Sequence, residues 1–344
     1  MARKWYGGLL LSLARFEESV AQLEQAARLD PLSANVQQSL GMALEAQGRF
    51  GDAASRYRKA IEIDPLMPGP YLFLALLSAD KMNQYAVAVP LAEKAVALDP
   101  DNPVSTLTLA WLYWTLRDDQ ARDRVLRWAE ERWPENPYVQ TSLALRDNCA
   151  RNPDGAARHA QGALATNPRD AWSLLVLGGI DVGQGRYAAA SKRHLTYYPE
   201  LASPSAPRVD ASNYVVAIQL AQVLRRLGEK DHAEALLAAS ERVMAKLPLL
   251  GGLGNRVPGR APWDAQALAL RGRKVEALAA LRAAERAGWR PPTCLWRDAY
   301  SFDSIRNEPE FKAIIADIER DMARQRAELA ARPKDAPLDL GAAD

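Results

Sequence analysis

Apolar and small residues recur along this chain at three- and four-residue intervals, the period of a helix with one buried face. In the stretch from Gly48 to Pro65, GRFGDAASRYRKAIEIDP, that face is taken by Phe50, Ala53, Tyr57 and Ala60, and charged residues fill the remainder. Gly48 opens a turn. Asp64-Pro65 ends the helix, because proline lacks an amide proton and disfavours helical geometry in the residue before it. The same phrase returns as ARFEESVAQLEQAARLDP, ending at Pro31, and as NQYAVAVPLAEKAVALDP, ending at Pro100. The stop prolines Pro31, Pro65, Pro100, Pro134 and Pro168 stand 34, 35, 34 and 34 residues apart. Upstream of these phrases lie further helical stretches in which a leucine precedes a small residue, as in Leu40-Gly41, Leu143-Ala144 and Leu177-Gly178. The small residue lets the two helices of a unit approach, and bulky ones fill the gap between units.

A period of this length with two helices per unit resembles the tetratricopeptide repeat. The resemblance implies an all-α, right-handed α-solenoid of about eight helix-turn-helix repeats with a C-terminal capping helix. Residues 1–199 hold repeats one to six. Residues 200–290 hold a proline- and serine-rich connecting loop (Leu201 to Val209) and two further repeat-like units. Residues 291–344 hold the cap and a tail without periodicity after Pro333. In the cap, Phe311, Ile314, Ile315, Ile318 and Met322 form an apolar stripe opposite a charged face that is expected to meet water. Some units depart from the pattern: Asn83 replaces the turn glycine of repeat three, and Pro90 sits inside its second helix. Repeat four has Arg117 in its turn without a glycine, and Arg122 where alanine is usual.

Composition adds exclusions. Of 344 residues, 48% are hydrophobic but only 7% aromatic, which suits closely packed helices better than sheets. With 44 basic against 42 acidic residues, the net charge of +2 supplies no field to draw nucleic acid. No run of about 18 apolar residues is present, so no membrane span is expected. Cys149 and Cys294 do not indicate a disulfide framework. The opening MARKWYGGLLLSLA can be read as a signal peptide or as the first helix of repeat one; Gly7 and Leu10 fall in the repeat register, which favours the helix. The array would then begin without a polar cap, as a fragment of a longer chain would. A cytoplasmic location follows, or a periplasmic one if residues 1–14 are a signal or the chain is part of a membrane-anchored protein.

No catalytic constellation emerges, and no cofactor or metal site. His159, His194 and His232 lie in second helices of different repeats without partners at ligand or triad spacing. Gly251-Gly252-Leu253-Gly254-Asn255 lacks the spacing and ending of a phosphate loop and reads as a connector. Acidic pairs such as Asp118-Asp119 are interleaved with arginines and read as a solvated face.

Binding is the function left. In a tetratricopeptide superhelix the first helices line the concave face. The resemblance places Gln38, Met42, Phe73, Leu77, Leu107 and Trp111 there. Trp114, Tyr138, Leu145, Trp172, Gln222 and Arg225 continue that face. The family's carboxylate clamp, lysine and asparagine four residues apart, is absent, since the matching pairs are Gln38/Met42, Phe73/Leu77, Leu107/Trp111 and Thr141/Leu145. An apolar and aromatic centre at Phe73, Trp111, Trp114 and Tyr138 suits an extended or helical apolar peptide. Packing between repeats is the competing role for the same rings.

The segments PRVDASNY, ALRGRKVEALAALRAAERAGW and SIRNEPEFKAIIADIERDMARQR also resemble the C-terminal region of bacterial winged-helix regulators and class III adenylate cyclases. No winged helix or cyclase segment is present in the sequence, so only a sensing or partner-binding role carries over. The expected function is non-catalytic protein–protein interaction. The alternatives are a self-associating array, in which the partner is a second copy, and an accessory module of an enzyme.

Overall fold

A computed structural model describes residues 2–250, 259–297, 299–333, 336 and 338. The glycine-rich stretch 251–255 and most of the tail after Pro333 lie outside them. Among the described residues all regular structure is helical, with 18 α-helices and two short 3-10 turns in chain order. By their internal contacts the residues fall into two units. One holds the chain up to Arg122 together with the stretch from Ala323 on; the other holds Asp123–Leu250 and the following residues to Met322.

The first unit opens with α1 (Ala2–Ser12) and α2 (Phe16–Leu29), then α3 (Ala34–Ala46) and α4 (Phe50–Ile63). It continues with α5 (Pro68–Asp80) and α6 (Tyr85–Leu98), then α7 (Pro103–Thr115) and the start of α8 (Asp119–Arg132). The stop motif works as its chemistry requires: each of α2, α4 and α6 is followed by a C-cap aspartate immediately before its proline. Proline reappears at the start of α5 and α7, where its missing amide costs no helical bond, and Asn102 caps α7 by accepting from the Val104 amide at 3.0 Å. The turn inside each pair holds one residue in the left-handed region. It is Ala14, Gly48, Asn83 and Arg117 in succession, so Asn83 and Arg117 take over the glycine's geometry at some steric cost. Helix α6 runs through Pro90 without a break.

Small residues set the spacing within a pair. Gly41 on α3 faces Tyr57 on α4, which is fully buried and donates from its hydroxyl to Glu45 Oε2 at 2.9 Å. Gly7 on α1 meets Leu23 on α2 in the same way. The Phe73 ring of the next pair stacks on Tyr57 at 5.8 Å, which is packing between pairs. Helices α1, α3, α5 and α7 touch one another in order. Contacts of that extent do not link α2, α4 and α6, so within this unit the row curves with its first helices on the inside. This is the α-solenoid the repeat pattern implies. Arg122 fits in place of alanine because its guanidinium stacks 5.2 Å from the Trp114 ring centre and pairs with Asp119.

The second unit contains the rest of α8, then α9 (Pro137–Cys149), α10 (Pro153–Thr166), α11 (Ala171–Gly183) and α12 (Tyr187–Tyr197). After the proline-rich loop come α13 (Tyr214–Leu227), α14 (Lys230–Met244), α15 (Trp263–Leu270) and α16 (Lys274–Arg286). Left-handed residues again mark the turns, at Arg151, Gly185, Gly228 and Gly272. Repeat five therefore turns on Arg151, and Gly155 lies within α10 under the side chains of Asp147 and Asn152. Asp170 ties α9 to α11: it caps the Ser173 amide and accepts from the Thr141 hydroxyl at 3.1 Å. All three histidines are buried.

Residues 288–308 carry no repeat phrase. They form a strap with a five-residue helix, α17 (Thr293–Arg297). Cys149 and Cys294, unpaired in the sequence reading, form a disulfide that joins the end of α9 to α17. The last helix, α18 (Pro309–Ala331), buries Phe311, Ile314, Ile315, Ile318 and Met322 as its apolar stripe requires. Its polar face is more than solvated. Arg282 reaches Glu310 and Asp317, and Arg290 reaches Asp321, at 2.6–2.7 Å in the second unit. In the first unit, Gln325 is 2% exposed. It accepts from the Tyr85 amide at 2.6 Å and donates to the Asn83 carbonyl at 2.8 Å.

Candidate binding pocket

Side chains near helix ends and on inward faces are set by the repeat geometry, so the inner row of each unit is where a cleft can open. In the second unit α9, α11, α13 and α15 form that row, each touching its neighbour. A cavity of about 660 Å³ lies on it, in the range that holds a drug-sized ligand or a few residues of peptide. Its walls are apolar and aromatic: Trp172, Leu174, Leu175 and Ile180 of α11, Val223 of α13, and Leu295, Trp296 and Tyr300 of the strap. Trp296 belongs to a cluster. Its ring lies 4.9 Å from Trp263, 5.8 Å from Trp289 and 6.2 Å from Trp172. Edge-to-face rings at these distances hold one another in orientation.

Amides punctuate this wall. Asn148, Gln184, Gln219, Gln222 and Gln266 all line the cavity. On the floor, His194 is 1% exposed and Gln219 7% exposed. The His194 Nδ1 lies 2.8 Å from the Ala190 carbonyl, so Nδ1 carries the proton and Nε2 presents a lone pair. Burial pushes the imidazole pKa down, against the opposite pull of the Ala190 carbonyl and the adjacent Gln219 amide. Even so, neither Nε2 nor either atom of the Gln219 amide completes a hydrogen bond within the protein. Space is open above Gly179, where a Cβ would meet nothing within 4 Å. No cluster of metal-ligating side chains is found among the described residues.

The residues expected on the concave face divide in three. In the second unit Trp172 and Gln222 line the cavity. Tyr138 is 64% exposed and Arg225 is also exposed, neither of them in the cavity wall. In the first unit Gln38, Met42, Phe73, Leu107 and Trp111 are half-buried on their helices. Leu77, Trp114 and Leu145 are buried, at 0%, 4% and 5% exposure. They pack, because a first helix is covered by its own partner and by a neighbour on each side, which leaves a narrower free stripe than the sequence reading assumed. Sequence reasoning missed Gln219, Gln266, His194 and the whole strap. The two glutamines had a signal, since they lie on successive first helices, α13 and α15. The strap had none.

Residues 7–68 match the model of the tetratricopeptide repeat. No curated protein sequence matches the chain. Among solved structures, a tetratricopeptide repeat protein from Parabacteroides merdae is similar with a TM-score of 0.55 and 15% identity, over 70% of this chain and 92% of that one. Yeast Tom70 gives a TM-score of 0.53 at 17% identity, over 90% of this chain and 59% of that one. PilW, a type IV pilus biogenesis factor, gives 0.50 at 16% identity, over 58% and 91%. At such identities the likeness is one of fold. Fold and matched residues together support tetratricopeptide repeats stacked as an α-solenoid, an architecture suited to protein–protein interaction.

Proposed function

We propose that this chain is a non-catalytic interaction scaffold, the sensing or docking portion of a bacterial signalling or regulatory protein, and that it binds a peptide or protein segment along the inner face of its first helices. The observation that carries the reading is the tryptophan-walled cavity in the second unit, at which Trp172 and Gln222 converge. Aromatic anchors in a preformed concave site dominate binding energy, and side-chain amides can match a peptide backbone. The resemblance of the C-terminal segments to bacterial regulators supports the signalling context.

A photo-reactive phenylalanine analogue tests this. Placed at Gln222 it should capture a partner polypeptide in cells, and placed at exposed Arg158 on α10 it should not. Equal capture from both positions, or none from Gln222, would overturn the groove. Capture of only a second copy of the chain, with a doubled mass in light scattering, would establish the self-associating alternative instead.

A further inference from the structure

We infer that the cavity of the second unit takes an acidic peptide in extended form, with one aromatic or branched aliphatic side chain against Trp172 and Trp296 and a backbone amide on Gln219 and His194. The inference rests on the reading of this cavity as a binding site and names what fills it.

Charge supplies the first argument. The cations among the lining residues are Arg151 and Arg306; no aspartate or glutamate lines the cavity. Arg306 shares the Asp303 carboxylate with Arg226, at 2.8 and 3.0 Å. Arg151 stands exposed in its left-handed turn and makes no ion pair among the described residues. Two arginines and no carboxylate thus line the cavity, and only Arg306 has its charge offset by an acidic partner, which favours acidic over basic chains and lets salt tune the preference.

Shape and polarity supply the second. Trp172 and Trp296 present rings 6.2 Å apart, and the disulfide to Cys149 holds the segment that carries Trp296 in place before any ligand arrives. At the floor, the lone pair of His194 Nε2 awaits a donor, and the Gln219 amide offers both a donor and an acceptor. One residue of an extended peptide turns its own N–H and C=O to the same edge, where Gln219 and His194 can take both. A buried polar atom without a partner is costly, so a ligand that satisfies it recovers that cost on binding.

Capped pentapeptides AEFEA, AKFKA and AEAEA, titrated into the full chain with tryptophan emission and calorimetry as readouts, test the inference. AEFEA should bind about tenfold more tightly than either of the others, and its advantage over AKFKA should shrink between about 0.05 and about 0.5 M salt. Arg151→Gln should weaken AEFEA several-fold and flatten its salt dependence. An AEFEA analogue with an ester in place of the amide before its phenylalanine should bind roughly tenfold more weakly to the parent chain, and no more weakly than AEFEA to Gln219→Leu. Tighter binding of AKFKA, still lost in Trp172→Ala, would refute the acidic ligand and leave the groove standing. Indifference of AEFEA to both the ester and Gln219→Leu would refute the amide contact. If no peptide binds in a Trp172-dependent way, and Gln222 captures no partner, inference and groove fall together.

Discussion

Gly41→Ala should destabilise the first unit, although alanine is the better helix former. The new methyl carbon would lie 2.6 Å from Cε1 and 2.8 Å from Cδ1 of Tyr57. That ring has little freedom to retreat: it is 0% exposed, its hydroxyl is held by Glu45 and its face lies against Phe73. Alanine gains about 0.5–1 kcal/mol over glycine in a helix interior, while overpacking a tight core costs about 1–3 kcal/mol. The balance is a loss of about 1–2 kcal/mol. Gly8→Ala on α1 is the matched comparison, since a Cβ there meets nothing within 4 Å, and it should keep only the helical gain. Urea unfolding followed by far-ultraviolet circular dichroism would read the two variants as midpoint shifts of opposite sign. At a slope of about 2 kcal/mol per molar, the Gly41→Ala midpoint falls by roughly 0.5–1 M. In a Tyr57→Leu background the penalty should disappear, because the interfering ring is gone. A Gly41→Ala chain as stable as its parent would refute the argument that this glycine exists to admit the ring.

Gln325→Leu removes the side-chain bonds to the Tyr85 amide and the Asn83 carbonyl. It should cost about 1–3 kcal/mol and speed hydrogen exchange at Tyr85, and unchanged protection there would count against the role. Burial pushes the Asp80 carboxyl up to about 6, with the Lys81 charge pulling the other way. The folded state therefore holds this proton more tightly than the unfolded one, and stability gains as pH falls through about 6 toward 4. Asp80→Asn should be the more stable chain by about 2–3 kcal/mol near pH 8, with the difference fading toward pH 4; thermal unfolding at both would show it. Reduction of the Cys149–Cys294 disulfide, or serine at both positions, opens a loop between residues 145 apart. It should lower stability by about 2–4 kcal/mol and shift the emission of the tryptophan cluster to the red, and an unmoved spectrum would mean that α17 stays docked without the bond.

The recurring Gly/small-x-aromatic phrase and its stop prolines were enough to read eight helix pairs, because each pair buries its own small-against-bulky contact and touches mainly its neighbours. Gly41 opposite Tyr57 is visible in the sequence for that reason: both partners sit within one period. The same locality made Trp111, Trp172 and Gln222 identifiable as first-helix positions. Burial was harder to read. Leu77, Trp114 and Leu145 share the inward register but are covered from both sides, and helical periodicity cannot report how wide a stripe the neighbours leave free.

What the chain order alone determined is therefore the solenoid, its period and its inner row of helices. Only the tertiary structure decided where a ligand could sit. The strap from 288 to 308 has no period to follow, its cysteine finds a mate 145 residues away, and four tryptophans meet that no local spacing relates. Contacts closed over such distances depend on how the stacked pairs curve, and that curvature is the sum of many small packing angles, which no single stretch of sequence records.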